Sequence, residues 1–286
     1  TSVIDARVTA LTNVGLEHTR WLGPTVRDIA EEKLAVVAER STLALGAQLD
    51  ADALVVAERV AGERGARLLR ASERASAPEL LAGGDFQQRN FALAELVATT
   101  FLREVGVEPR ADAIAAAART TDVRGRLQVV TRDPLTVLDG AHNPHAARAL
   151  ASSLPALVAG RPLALVLGVL EDKDAVGILQ ALLGLCERAW FTAPPSPRAL
   201  SPAALQSLAR QLGFERVECE PSPQRALAQA QQWARARGKG AVVATGSVYL
   251  VGALLAQIDA AEEARSAPRE PDARQESSGS RRRAAS

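Results

Sequence analysis

The 286-residue chain has no methionine and begins with threonine. A sequence of that kind is not a whole reading frame as it stands, so a piece or processed form of a longer chain is expected. Cysteine occurs twice, at Cys186 and Cys219. Two distant cysteines give neither a disulfide framework nor metal-ligand spacing, and a reduced, cytoplasmic setting is expected. Aromatic residues make up 3% of the chain, so Ala, Leu and Val must fill the core. There are three lysines, Lys33, Lys173 and Lys239, and Arg carries nearly all the positive charge. The formal net charge of +1 argues against a dedicated nucleic-acid binder. No apolar run approaches the roughly 18 residues of a membrane span, and no signal peptide is visible.

The 47% hydrophobic content is ample for packed cores, in one large or two ordinary domains. Strands are expected at 8–11, 41–45 and 66–69, with helices over 25–39, 50–62, 90–105 and 111–118. Residues 119–125 are polar and aperiodic, and a domain boundary is placed there. Beyond it strands at 127–131, 135–138, 163–167, 189–192 and 241–244 alternate with helices at 143–158, 175–184, 202–212, 223–237 and 248–258. Such alternation predicts an α/β fold with a parallel sheet and crossover helices. The expected division is 1–118, 119–258 and a disordered tail over 259–286.

Ligands of parallel sheets sit at the loops after the strands' C-terminal ends. Asp139, Asp172 and Ser247 fall in such loops. All three histidines lie in two loops, His18 in the first and His142 and His145 in the second. The segment Asp139-Gly140-Ala141-His142-Asn143-Pro144 reads as a ligand loop. It has an acid at a strand end, a glycine for close approach, and a His and an Asn before a helix that Pro144 can start. Upstream, Thr25 can cap a helix with Asp28 three residues on. Projected at 100° per residue from Val26, the residues Ile29, Ala30, Leu34, Val36 and Val37 fall within about 80° of it, and Lys33 falls among them. A lysine on that arc has three readings. It reaches the surface, pairs with a buried acid, or reacts through a depressed pKa, for example to a carbamate.

The stretch TNVGLEHTRWLGPTVRDIAEEK (residues 12–33) resembles the TNIGLDHxxxLGxTxxxIAxEK block of the folylpolyglutamate/dihydrofolate synthases, within the Mur ligase superfamily. LDGAHNP resembles that family's second signature. Further matches follow in order: Gln87-x-x-Asn90, Gly125-Arg126-Leu127, the segment 168–174 (GVLEDKD), and the segment 245–252 (TGSVYLVG). The resemblance covers residues 1 to about 258 and implies the C-terminal part of a Mur-ligase central ATPase domain followed by a Rossmann-like C-terminal domain. The implied activity is ATP-dependent ligation of L-glutamate to dihydropteroate or a reduced folate through an acyl phosphate, by a monomer using ATP and Mg2+. His18 would hold Mg2+, with Lys33 beside it as a carbamate. Asn90 would meet the adenine region, Arg126 the phosphates, and Asp139 the nucleotide or the domain junction. His142, Ser247 and Tyr249 would line the glutamate side.

The chain departs from the pattern in places. No G-x-x-x-x-G-K-[ST] phosphate loop occurs in it, so the 286 residues alone are expected to lack ligase activity. The usual Pro-Gly-Arg is Arg124-Gly125-Arg126 here, and the usual His-Gln pair is Phe86-Gln87. The alternatives are a peptidoglycan-type Mur ligase and a truncated, non-catalytic binder of nucleotide or a partner.

Overall fold

The computed structural model describes residues 4–16, 19–76 and 79–266. The first unit comprises β1 (Val8–Leu11), α1 (Thr19–Leu22), α2 (Val26–Leu34), β2 (Thr42–Leu45), α3 (Ala51–Arg64), β3 (Arg67–Arg70), α4 (Asp85–Glu104) and α5 (Ala111–Thr120). Its strands form a parallel sheet in the order β1-β2-β3, with Leu11 beside Leu45 and Leu45 beside Arg70. Alternation along β2 divides the unit into two layers. Leu43 and Leu45 pack with Ile29, Leu34, Val56 and Val60 of α2 and α3, whereas Ala44 faces Leu93 of α4.

The second unit runs β4 (Gln128–Arg132), β5 (Leu135–Leu138), α6 (Pro144–Val158), β6 (Leu163–Leu167), α7 (Ala175–Leu182), β7 (Arg188–Phe191), α8 (Pro202–Gln211), β8 (Val217–Cys219), α9 (Pro223–Ala236), β9 (Ala241–Thr245) and α10 (Val248–Ser266). Its six-stranded sheet has the order β4-β5-β9-β6-β7-β8, and β4 is antiparallel to β5 while the other pairs are parallel. Strands β5, β6 and β9 are buried along their whole length, as expected of a sheet covered on both faces. Leu163, Leu165 and Leu167 enter one core, with Leu154 of α6, Ile178 of α7 and Leu205 of α8. Ala164 and Val166 enter the other, with Ala230 of α9 and Leu254 of α10. Leu and Ala dominate both cores. Two of the scarce aromatics pair where Trp190 meets Trp233 edge-on, with ring centres 6.1 Å apart.

Three sequence expectations are corrected. The helix expected over 25–39 ends at Leu34, because the β-branched pair Val36-Val37 leaves it for the turn into β2. A short strand, β8, was not anticipated; its three residues are too few for a period to show. The tail expected from 259 begins later, since α10 continues to Ser266. Residues 259–265 (DAAEEAR) are mostly good helix formers. Arg124, standing where the family pattern has proline, anchors them by paired contacts of 2.7 and 2.8 Å to Asp259. Residues 267–286 lie outside the described residues.

Candidate active site

Two cavities open at the C-terminal ends of the parallel strands. The larger, of about 450 Å³, lies between the two units. Asn13 after β1, Gly46 after β2, Gln87 and Asn90 on α4, and Arg126 and Asp139 of the second unit are among its walls. The smaller, of about 220 Å³, is lined by His142 after β5, Asp172 and Lys173 after β6, Arg198 after β7, and Ser247 and Tyr249 after β9. It sits where β5 and β6 flank β9 in the strand order, the crevice position that open α/β sheets offer to ligands. His142 lines both cavities.

Asp139 organises the wall between the units. Its carboxylate is 3% exposed and accepts N–H bonds from Leu127 at 2.9 Å and Ala141 at 2.8 Å. The Gly140 N–H donates to the Gly125 carbonyl at 2.8 Å, so the turn at 125–127 and the loop at 139–141 are stitched together. Burial pushes the Asp139 carboxyl above the usual carboxylate range, against the lowering effect of the two N–H bonds and of Arg126 and His142 nearby. The Arg126 guanidinium occupies the space that a β-carbon at residue 140 would fill, so a side chain there would displace Arg126 from this position.

The His142 ring contacts the Gly140 carbonyl through Nδ1 at 2.9 Å. A carbonyl only accepts, so Nδ1 carries a proton and donates it. Asn143 caps α6 by accepting the Ala146 N–H at 2.8 Å, with Pro144 at the helix start, as its sequence indicated. The exposed His145 joins the two units, since Asn13 Nδ2 donates to its Nε2 at 2.8 Å. Ser247 is buried and caps α10, accepting the Tyr249 N–H at 3.2 Å; the Tyr249 ring is about half exposed.

On α4, Asn90 is exposed and donates to Gln87 Oε1 at 3.0 Å. Gln87 is 5% exposed, and its Nε2 is buried in the cavity wall with no partner. A buried amide donor left unpaired is costly, and a ligand acceptor that reached it would relieve that cost. Together with Asn90 and Arg126 it makes a donor set suited to a nucleotide. Phe86, in place of the pattern's histidine, packs against the core of the second unit.

The metal set implied by the sequence finds no such support. His18 lies outside the described residues. Lys33 is on the last turn of α2, where the buried face is Ile29, Ala30 and Leu34, and Lys33 itself is exposed. The apolar arc was drawn partly through Val36 and Val37, which are not helical, so desolvation does not single this lysine out. It lines neither cavity. Among the described residues no three His, Cys, Asp or Glu side chains stand together as metal ligands. The capping box of the same helix is present: Thr25 Oγ1 accepts the Asp28 N–H at 3.1 Å and Asp28 accepts the Thr25 N–H at 3.0 Å.

Sequence reasoning gave no role to Lys173 or Arg198. The scarcity of lysine was a usable signal for Lys173. Arg198 carried none, being one arginine among many in a proline-rich loop.

This architecture, a nearly parallel sheet with ligand loops at one end and a cleft shared with a second sheet, is similar to that of a Mur ligase C-terminal domain. Residues 125–248 match the family model described as Mur ligase, glutamate ligase domain. More particularly, the chain is similar to the folylpolyglutamate/dihydrofolate synthases. It is 29% identical to the dihydrofolate synthase/folylpolyglutamate synthase of Escherichia coli, over 91% of this chain and 62% of that protein. It is 28% identical to the folylpolyglutamate synthase of Lacticaseibacillus casei, over 89% and 62%. The chain thus spans less than two thirds of the length of these relatives. Among solved structures, the Mycobacterium tuberculosis folylpolyglutamate synthase complexed with ADP and AMPPCP aligns with a TM-score of 0.82 at 27% identity, covering 90% of this chain and 65% of that one. The Yersinia pestis bifunctional synthase complexed with AMPPNP and Mn ion aligns with a TM-score of 0.76 at 27% identity, over 90% and 63%.

Proposed function

We propose that the protein carrying this sequence is an ATP-dependent acid–amino-acid ligase that joins L-glutamate to dihydropteroate or a reduced folate. The observation that carries the proposal is the position of His142, in the wall of a nucleotide-sized cavity and of a second, cation-lined one. In the larger cavity Gln87 and Asn90 meet the base, and Arg126, held over Gly140, meets the phosphates. In the smaller one Ser247, Tyr249 and His142 line the glutamate. ATP transfers its terminal phosphoryl group to the acid's carboxylate, releasing ADP. The glutamate amine then attacks the acyl carbonyl, phosphate leaves, and the amine loses a proton. His142, with Nδ1 directed at the Gly140 carbonyl, stands at the boundary between the two sites. The ADP and AMPPCP of the Mycobacterium protein and the Mn ion of the Yersinia protein support a nucleotide accompanied by a divalent cation, Mg2+ in this proposal. His18 and a carbamate on Lys33 are kept as its proposed ligands by family similarity alone, and no step is assigned to it.

The test is ADP release that requires ATP, L-glutamate and a pteroate or folate together, measured on the natural protein. Release with a UDP-linked peptidoglycan precursor, and none with pteridines, would move the chain to the peptidoglycan branch. Nucleotide binding without turnover on either substrate would favour a non-catalytic relative.

A further inference from the structure

A further cavity, of about 420 Å³, lies in the first unit between the edge strand β3 and the C-terminal half of α4. It is lined by Arg67 and Leu69 of β3 and by Leu96, Thr100, Arg103 and Glu104 of α4. It is at the opposite end of the sheet from the cleft. Arg67 opens β3, and Glu104 reaches Thr42, which opens β2. Its volume is close to the 450 Å³ of the cavity between the units, and small-molecule sites span about 300–1,000 Å³.

The residues under α4 explain the space. Along one level of that sheet face stand Ala10, Ala44 and Leu69, and Ala71 joins Ala44 in the small cluster that receives Leu93. Alanines give a helix little to pack on. Leu93 lines the cleft cavity, and Leu96, one turn on, lines this one with Leu69. Charges surround that apolar floor. Glu104 is committed, since its Oε1 accepts the Thr42 hydroxyl at 3.0 Å. Arg67 and Arg103 are exposed, and neither makes a side-chain hydrogen bond or ion pair with another described residue. The last carbonyls of α4 do not oppose an anion, because those of Phe101, Leu102 and Arg103 already accept N–H bonds from Val105, Val107 and Gly106. Single exposed arginines need no explanation. These two stand on different elements and share one cavity with two leucines, giving a wall with one net positive charge.

We propose that this cavity binds a small monoanion with an apolar body, of the class of the aromatic carboxylates. Arg67 and Arg103 hold the carboxylate through charge-assisted N–H bonds, and Leu69 and Leu96 cover the apolar body. Glu104, fixed by Thr42, repels a second negative group and so disfavours dianions. The site does not depend on the ligase reading.

The experiment is equilibrium dialysis of the full chain against 2-naphthoate and against 2-naphthamide, a neutral counterpart of the same shape. The wild type should bind the carboxylate at least about tenfold more tightly than the amide. Arg67→Gln and Arg103→Gln should each lower naphthoate affinity by about tenfold and leave the amide unchanged. Both arginines are exposed and unpaired among the described residues, so both variants should unfold in urea at the wild-type midpoint. Arg126→Gln, altered in the cavity between the units, should bind naphthoate as the wild type does. Absence of naphthoate binding, equal binding of carboxylate and amide, or unaltered affinity in both Arg67→Gln and Arg103→Gln would each overturn the proposal. Loss of binding in Arg126→Gln alone would do so too, by placing the ligand in the cleft.

Discussion

Replacing Asp139 with alanine tests whether one buried carboxylate holds the two units' shared wall together. The substitution leaves the Leu127 and Ala141 N–H groups without acceptors. A buried donor without a partner costs about 1–3 kcal/mol, so the pair costs about 2–6 kcal/mol. Part of this is offset, because the variant no longer buries an ionised carboxylate, whose unfavourable desolvation is what raises the Asp139 pKa. A net loss of about 2–4 kcal/mol is expected. That is less than the roughly 5–15 kcal/mol by which folded proteins exceed their unfolded states, so the variant should remain folded. The assay is urea unfolding of both proteins across pH. The folded-state pKa of Asp139 lies above its ordinary value of 3.8. Its contribution is therefore fully present below that ordinary value and is lost as pH rises through the folded one. The gap between wild type and Asp139→Ala should be widest below about pH 4 and should narrow upward. A variant within about 0.5 kcal/mol of wild type, or a gap that widens with pH, would refute the reasoning.

Three further outcomes are expected. Gln87→Leu removes a buried amide whose Nε2 is unpaired and whose Oε1 accepts from the exposed Asn90, so unfolding in urea should show stability unchanged or raised by up to about 1 kcal/mol, while fluorescent ADP-analogue titration shows weaker binding; unaltered affinity would remove Gln87 from the nucleotide site. Thr25→Ala breaks the capping box of α2 and should cost about 1 kcal/mol by denaturant unfolding. Lys33→Ala, at an exposed position, should change stability by less than about 0.5 kcal/mol. In the ligase assay on the natural protein it should abolish turnover, with partial rescue by a short-chain carboxylate, and full activity in the variant would end the carbamate proposal.

Most of the fold could be read from the chain because its signals are local. The continuous apolar run at 163–167 marked a strand buried on both faces, and Thr25 with Asp28, and Asn143 with Pro144, marked helix starts through bonds spanning three residues. Where the reading failed, the local signal was short or mixed. The helix from Val26 stopped before the β-branched pair Val36-Val37, and the last helix ran on through the helix formers of 259–265, where Arg124 also reaches Asp259, 135 residues away.

The sequence by itself determined the alternation of strands and helices, the capping residues, and the short motifs that place Asp139, His142 and Ser247 after parallel strands. Each depends on spacing or on bonds within a few residues, which a linear chain displays. Only the tertiary structure decided that Lys33 is exposed, that Gln87 presents an orphan donor to a cavity, that Asp139 spends its carboxylate on backbone N–H groups, and that Arg198 stands beside Lys173. These depend on which surfaces are removed from water and on which loops the sheet order brings together. Residues 172 and 198 meet because β6 and β7 are parallel neighbours and Gly168 lets their loops touch.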